Sequence, residues 1–420
     1  MPDFIVVGGG VGGLVVARRL AKGGRRVTLI EARDHLGGTV ARQSVGGLDL
    51  DAGAESFALR GGTVAALASE LGLGDDIVSP NPTGAWLQPV TGDAQPLPQM
   101  SLMGIPGSPL AKDVRNILGV GPAFRAFAEV LLPGTYAADA QSLGELVERR
   151  MGTGVLENLV APIVRGVHSM EPHDLPLDRV APGLRAALRR TGSLARAVRE
   201  TRAATTKAGS AVAGIRGGIH RLVDELVRDL GTSGVTVRLN ARVTEVGEGF
   251  VWMDDERIDG YVVAAAPGLL GDPSGPGHLA VLTTLVLDAT ELDAAPRGTG
   301  VLVAAGARGI RARALTHSTA KWPWLAERAD GKHVVRLSYG SALENHAEVA
   351  REDAERLLGI SLPASRVLDY ARVRWTRPER QVYTKNGISL VGETASGTGL
   401  AAVIAHAEAE AHQLLRDFDR

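Results

Sequence analysis

The spacing of hydrophobic and polar positions changes several times along this chain, and each change marks a structural boundary. Phe4, Ile5, Val6 and Val7 form an unbroken apolar run that reads as a strand, and Leu14, Val15, Ala17 and Leu20 fall at helical spacing over residues 11–22. Residues 26–30 read as a second strand, and residues 64–71 as an amphipathic helix closed by Gly72. Prolines and glycines crowd residues 79–109, predicting short strands and turns that leave the first domain. Helical periods then run from 110 to about 207. At Ile215-Arg216-Gly217-Gly218-Ile219 the pattern turns again, to a helix over 220–230, strands over 235–239 and 242–246, and an apolar run at 261–266. These are expected to extend the first sheet. Residues 281–287, 300–305, 314–317 and 333–339 read as strands of a separate sheet. Residues 388–391 form a last strand, Gly392-Glu393 a turn, and a helix runs from Gly399 to about Leu415.

The first turn carries chemistry. Gly8, Gly10 and Gly13 satisfy G-x-G-x-x-G between a strand and a helix, with Val11 and Gly12 inside the motif. One glycine makes the turn, one lets phosphates approach the main chain, and one lets helix and strand pack closely. The unpaired amides at the helix N-terminus favour an anion. Glu31 ends the second strand, where a carboxylate suits the two hydroxyls of an adenosine ribose and repels a 2′-phosphate. ADP-ribose is therefore the expected ligand fragment, and NADP is disfavoured. With 53 glycines in the chain, the motif alone would be weak; strand, glycines, helix, strand and acid in order make it specific.

Composition narrows the classes. Hydrophobic residues make up 45% and charged residues 22%, an ordinary globular balance over 420 residues, enough for two or three domains. No apolar run reaches the length of a membrane span. The apolar N-terminus is used by the first strand, so a signal peptide is not expected. The absence of cysteine excludes thiolate chemistry and fits a cytoplasmic address, no metal site is expected, and the net charge of −1 argues against nucleic acid as a partner. Basic residues nevertheless gather at Arg179, Arg185, Arg189, Arg190, Arg196, Arg199, Arg202 and Lys207, with Glu200 among them. They make either a solvated helical face or a surface that attracts anionic headgroups or carboxylates.

The far end of the chain separates FAD from NAD. A nicotinamide-binding domain is usually contiguous and has no use for a second glycine-framed strand-to-helix junction at Gly392, Glu393, Gly399, Leu400 and Ala401. A flavin is gripped along its length, and a second helix N-terminus can stabilise negative charge on the ring. Gly37 and Gly38 fit the same demand, since backbone passes close beneath the cofactor after the ribose acid.

With these residues in view, the chain resembles the protoporphyrinogen/coproporphyrinogen oxidase family of FAD enzymes, within the amine oxidase-like flavoprotein superfamily. At the superfamily level the likeness rests on Gly8 to Gly13, Glu31, Gly37-Gly38 and the segment from Gly392 to Ile404. At the family level it rests on Asp51-Ala52-Gly53-Ala54-Glu55-Ser56-Phe57, Glu70-Leu71-Gly72-Leu73, Leu143-Gly144-Glu145, Glu157-Asn158-Leu159-Val160-Ala161-Pro162, Arg165-Gly166-Val167, Arg374-Trp375 and Tyr383. The actinobacterial type is the nearest in look, which points to coproporphyrinogen III. His168-Ser169-Met170-Glu171 departs from the family pattern after Gly-Val, and Ala401 and Val403 replace its usual proline and cysteine.

The resemblance implies an α/β fold: a Rossmann-like FAD-binding domain, an α+β substrate-binding domain and a mostly helical, membrane-associated domain. The expected divisions are 1–78 with 211–270 and 372–420, then 79–109 with 271–371, then 110–210. It also implies that Ala32, Arg33, Thr39, Gly53, Ala54, Glu55, Ser56, Val243 and Trp375 join the glycines and Glu31 around FAD. Candidates on the substrate side are Trp86, Arg165, Gly166 and His168, an arginine being suited to pair with propionates. For His168, Trp86 and Trp375, ordinary packing is the competing reading. The implied reaction is O2-dependent removal of six electrons from a porphyrinogen in haem biosynthesis, with three H2O2 released. Its chemistry lies at the flavin N5, so no catalytic side chain is assigned. Implied partners are a ferrochelatase receiving the product and an anionic membrane surface on the inner face of the cell membrane, with the protein a monomer or homodimer. Protoporphyrinogen IX oxidase, another flavin oxidase, a flavin- or porphyrin-binding protein without turnover and an NAD dehydrogenase are the alternatives.

Overall fold

The computed structural model describes residues 3–59, 61–168, 170–206, 212–253, 255–266, 269, 278–377 and 387–418. The chain forms two compact units, one from Met1–Pro80, Ala211–Leu279 and Val373–Arg420, the other from Asn81–Ser210 and Ala280–Arg372. Residues expected to make separate substrate-binding and helical parts fall together in the second unit.

The first unit is built on a five-stranded parallel sheet in the order Thr236–Arg238, Val27–Ile30, Phe4–Val7, Tyr261–Ala264, Ile388–Leu390. All four residues of Phe4–Val7 are buried, because a central parallel strand is covered on both faces. Phe4 and Val6 share a core with Leu14 of the helix Val11–Lys22, Leu222 and Leu226 of His220–Thr232, and Ile404 of Leu400–Phe418. Ile5 and Val7, pointing the other way, pack with Val246, Val251 and Met253. First and last segments of the sequence are thereby locked into one sheet. At the back of the first helix the buried Arg18 pairs with Glu70 at 2.8 Å and Asp229 at 2.5 Å, and Arg19 pairs with Glu408 of the last helix.

One expectation fails here. The strand expected at 242–246 does not extend the parallel sheet; Val243–Gly247 pairs antiparallel with Phe250–Met253, which pairs with Glu256–Asp259 in a separate three-stranded meander. The middle strand Phe250–Met253 alternates between half-buried and buried, as in a sheet covered on one face, and Gly249 with φ +77° closes the first turn.

The second unit is built on a seven-stranded sheet in the order Val367–Arg377, His278–Leu287, His333–Tyr339, Ala314–His317, Gly300–Val303, Trp86–Gln88, Gln95–Pro96, of which the strand ends 278–279 and 373–377 count with the first unit. The four strands expected in this sheet lie at its centre; Trp86–Gln88 joins it parallel to Gly300–Val303. The helical part centres on Leu143–Met151, Leu184–Thr191 and Leu194–Thr206, whose Leu146, Val147 and Leu188 are fully buried. Ser142 caps the first, accepting from the Glu145 amide at 3.1 Å while Glu145 accepts from the Gln141 amide at 3.0 Å. Residues 153–168 form one irregular helical stretch with two π turns, Leu156–Val160 and Val164–His168, on either side of Ala161–Ile163. Pro162 lacks the amide that a regular turn would engage, which accounts for the widened ladder beside it.

Candidate functional site

In the first unit the glycine motif stands at the carboxyl end of Phe4–Val7, where open parallel sheets bind ligands. A side chain on Gly13 would place its Cβ 2.0 Å from the Gly8 carbonyl oxygen, so strand and helix could not pack as they do. Gly8 adopts φ +112°, and its Cβ would lie 2.7 Å from the Ala266 nitrogen. Gly10 is different: among the described residues a Cβ there would meet no atom within 4 Å. The second glycine thus faces open space at the N-terminus of Val11–Lys22, which begins with Val11 and Gly12.

Glu31 sits at the end of the neighbouring strand. Its Oε2 accepts from the Gly9 amide at 2.7 Å and its Oε1 from the Arg33 amide at 2.9 Å. Gly37 is hydrogen-bonded through its amide to the Gly9 carbonyl at 2.8 Å, and Gly38 lies so close to Gly10 that a Cβ would stand 3.1 Å from the Gly10 Cα. Ala32, Arg33 and Thr39 are exposed on the same loop.

The far end of the chain reaches this cradle. A Cβ on Gly12 would stand 3.1 Å from both the Cα and the nitrogen of Gly392, backbone against backbone. Gly392 has φ +92° and leads into the short turn Glu393–Ser396. Gly399, with open space at its own Cβ position, precedes the 19-residue helix that starts with Leu400 and Ala401.

A third group completes the arrangement. Gly53 packs against the Thr39 carbonyl oxygen, 2.1 Å from a Cβ position, and beside Trp375 Nε1 at 3.9 Å. That Nε1 is buried with no hydrogen-bond partner among the described residues, and the Arg33 guanidinium lies 5.7 Å from the Trp375 ring centroid. Ala54 is exposed and Glu55 and Ser56 half-buried in the following loop, while Val243 packs beside the core shared by Ile5 and Val7.

Sequence reasoning overlooked how this loop is fixed. The buried Asp51 accepts from the amides of Ile219 at 3.0 Å and His220 at 2.9 Å, and contacts His220 Nδ1 at 2.8 Å. It therefore caps the helix His220–Thr232 and ties residues 52–56 to the sheet's helical layer. The signal available was the acid that begins Asp51-Ala52-Gly53.

The substrate-side candidates lie in the second unit. Gly166 occupies the second π turn, and a Cβ there would stand 2.6 Å from Leu302 Cδ2 and 3.7 Å from Ala314 Cβ. Its lack of a side chain lets that turn lie against the sheet. Arg165 is shared between Glu171 at 2.7 Å and Glu157 at 3.6 Å. The hydrogen bond from Arg165 holds the Glu171 carboxyl below its ordinary range, and the same bond raises the guanidinium above its own. Trp86 is half-buried with the Arg297 guanidinium 4.6 Å from its ring centroid. His168 ends the turn, and its side chain lies outside the described residues, as do Ser169 and Tyr383. Of the basic stretch, Arg185, Arg199 and Arg202 donate to the carbonyls of Ala138, Gly107 and Ser101, and Arg190 pairs with Glu200. Those four arginines are engaged in pinning neighbouring segments. Lys207 lies outside the described residues.

The model of the flavin containing amine oxidoreductase family matches residues 11–281. The chain belongs to that family. As a flavin amine oxidoreductase of this type it is an FAD-dependent oxidoreductase. Among curated proteins it is 33% identical to a Mycobacterium tuberculosis protein named coproporphyrinogen III oxidase, over 84% of this chain and 79% of the relative. A Bacillus subtilis protein of the same name is 26% identical over 80% of this chain and 77% of its own length. Among solved structures, a protein of Exiguobacterium sp. 255-15 described as a protoporphyrinogen oxidase shares the fold with a TM-score of 0.82 at 21% identity, over 99% of both chains. Cyclohexylamine oxidase from Brevibacterium oxydans shares it at 0.65 and 15% identity, over 100% of both chains.

Proposed function

We propose that this flavin oxidoreductase converts coproporphyrinogen III to coproporphyrin III in haem biosynthesis, removing six electrons and six hydrogens and reducing three O2 to three H2O2. The likeness to the mycobacterial coproporphyrinogen III oxidase over most of both chains carries the reading of the substrate. Backbone closure of Gly12 on Gly392 supports the cofactor's placement in the first unit.

Three features of the first unit fit the cofactor. Open space at Gly10 admits a pyrophosphate, the Glu31 oxygens retain lone pairs for ribose hydroxyls, and the Trp375 Nε1 is a donor awaiting an acceptor. Residues 8–13, Glu31, Gly37, Gly38, Gly53, Trp375, Gly392 and Gly399 would hold FAD. Bound FAD supplies the two-electron redox chemistry, so the protein needs no strong base and positions the macrocycle instead. The second unit takes the substrate.

The test is direct. The purified protein is expected to be yellow, to bleach anaerobically with coproporphyrinogen III, and to recolour in air as porphyrin fluorescence grows. Flavin that stays oxidised under the porphyrinogen overturns the assignment. Side-by-side rates with protoporphyrinogen IX decide between tetra- and dicarboxylate, and steady oxidation of a primary amine instead would favour an amine oxidase.

A membrane contact belongs to the same reading. No described helix is long and apolar enough to cross a bilayer. The helix Val120–Phe127 and the turn after it nevertheless expose Val120, Phe124, Phe127 and Leu131 at 72%, 61%, 44% and 83%, spaced as one helical face. Ala123 and Ala126 form its buried side, and the exposed Arg125 donates to the Arg150 carbonyl at 2.8 Å. Exposed cations Lys112, Arg115 and Arg189 lie in the same unit. An apolar face with cations suits an anionic lipid surface, on the cytoplasmic side of the cell membrane. Sedimentation with anionic vesicles at low salt is expected, and Leu131→Asp with Phe124→Asp should abolish it; a wild-type protein left in the supernatant removes the proposal.

A further inference from the structure

The strand His333–Tyr339 runs out at Gly340, and the space that a side chain would take there is already filled. A Cβ on Gly340 would stand 2.1 Å from both Cζ and Nη2 of Arg313, so the missing side chain is what lets the guanidinium lie over the main chain. Gly340 has no positive φ, and its backbone would accept any residue; only the space requires glycine. The face in question is the one that meets the helical part. Ser338 stands opposite Ala314, and Gly340, two residues on, points the same way. The Ala314 Cβ lies 3.7 Å from a Cβ position on Gly166, in the π turn Val164–His168. Arg313 therefore brings its head across the strand end to the side of the sheet on which that turn lies.

Arg313 is exposed, and its guanidinium has no hydrogen-bond acceptor among the described residues. Arg185, Arg199 and Arg202, by contrast, donate to backbone carbonyls. The acid that feels the charge of Arg313 is Glu171, and both of its oxygens are taken by Arg165, from Nε at 3.1 and 2.9 Å and from Nη2 at 2.7 Å. The hydrogen bond from Arg165 is the first reason that the Glu171 carboxyl lies below its ordinary range, and the charge of Arg313 adds to it. A guanidinium placed by packing, with its planar fork open and the neighbouring carboxylate already paired, is matched to a carboxylate from outside the chain.

We propose that Arg313, seated over Gly340 on the side of the sheet that carries the Gly166 turn, binds a propionate carboxylate of the macrocycle. The proposal rests on the porphyrinogen reading and names the group that recognises the substrate's charged edge. Arg313 acts by binding, with no proton or electron passing through it.

The test compares wild type with Arg313→Gln and Gly340→Ala, using coproporphyrin III fluorescence to measure binding without turnover. Arg313→Gln is expected to weaken binding about tenfold and to raise KM for coproporphyrinogen III by a similar factor, with kcat within about twofold. Gly340→Ala keeps the arginine and removes its seat, and a severalfold loss is expected. The uncharged tetramethyl ester distinguishes recognition from scaffolding: its binding should be alike in wild type and both variants. Equal affinity of wild type and Arg313→Gln for the tetra-acid overturns the inference, and so does an equal loss for acid and ester. Unchanged affinity in Gly340→Ala overturns the role of the seat, and this variant decides alone if Arg313→Gln does not accumulate as folded protein. Wild type that binds coproporphyrin III through Arg313 but oxidises no porphyrinogen would overturn the proposed reaction and leave the carboxylate site standing.

Discussion

Glu31 divides its two carboxylate oxygens between two backbone amides, Oε2 taking Gly9 at 2.7 Å and Oε1 taking Arg33 at 2.9 Å. The side chain therefore clamps the phosphate turn to the loop after the second strand while keeping a lone pair on each oxygen for a ribose. Glu31→Gln replaces one acceptor oxygen by a donor, which sets an N–H against an N–H. Leaving such a group unmatched costs about 1–3 kcal/mol, so FAD affinity should fall roughly tenfold to a hundredfold. Titration of flavin-stripped protein with FAD measures it, and unchanged affinity would show that the carboxylate plays no part in binding.

Two glycines of one motif should behave in opposite ways. Gly13→Ala places a methyl group 2.0 Å from the Gly8 carbonyl, so the cost falls on the fold itself, about 3 kcal/mol or more. Gly10→Ala meets nothing within 4 Å among the described residues and has an ordinary extended backbone, with φ −70°. The flavin-stripped Gly10→Ala protein should unfold within about 1 kcal/mol of wild type. Its methyl group nevertheless occupies the space a pyrophosphate needs, so flavin retention after desalting should be lost. Thermal unfolding without FAD, set beside flavin content, separates the two; a Gly10→Ala protein that keeps its flavin rejects this role.

What could be read from the chain depended on how local the cause was. Phe4–Val7, the glycines and Val11–Lys22 are fixed by neighbours in sequence, and pattern alone placed them. Gly392 was legible for the same reason, as a turn between strand and helix. The pairing of Val243–Gly247 was not, because apolar alternation identifies a strand but not the partner that satisfies its amides. Asp51 and His220 are 169 positions apart, so no window on the sequence reveals that one caps the other's helix. Arg165 looked available for a ligand because arginine is a good carboxylate binder; only its fold neighbours Glu157 and Glu171 show that it already has two.

The helical part is organised around a buried ion pair. Arg150 donates to Glu129 Oε2 from Nε at 2.9 Å and Nη2 at 2.7 Å, and to the carbonyls of Pro133 and Tyr136 at 3.0 Å each. Glu129 in turn accepts from Ser193 Oγ at 2.5 Å and from the amides of Leu194 at 3.0 Å and Ala195 at 3.1 Å, which caps Leu194–Thr206. Every charge is met, so removing one partner strands the other. Arg150→Met or Glu129→Leu alone should destabilise by about 3–5 kcal/mol, whereas the double variant should recover much of the loss. Exposed Arg257–Asp259 is the control, with about 1 kcal/mol or less expected for its removal. Denaturant unfolding of the full cycle gives the coupling, and additive losses would show that the pair does not act as a unit.

His317 makes stability depend on pH. It is 1% exposed, and burial, followed by the charge of His333, lowers its pKa from 6.5 to about 4. Its Nε2 lies 3.3 Å from His333 Nδ1, and His333 Nε2 lies 2.9 Å from Asp293 Oδ1. With both rings neutral, one donor per contact requires His333 to donate to Asp293 and His317 to donate to His333. His317 Nδ1 is then a buried acceptor without a partner among the described residues. Because the folded pKa lies below the unfolded one, the unfolded chain takes up the proton first as the solution is acidified. The stability this histidine contributes is therefore complete above pH 6.5 and drains away as pH falls toward 4, by about 3 kcal/mol in all. Denaturant unfolding at steps from pH 7.5 to 4.5 should show that loss, and His317→Phe should flatten it in that window. A variant whose slope matches wild type would place the acid sensitivity elsewhere.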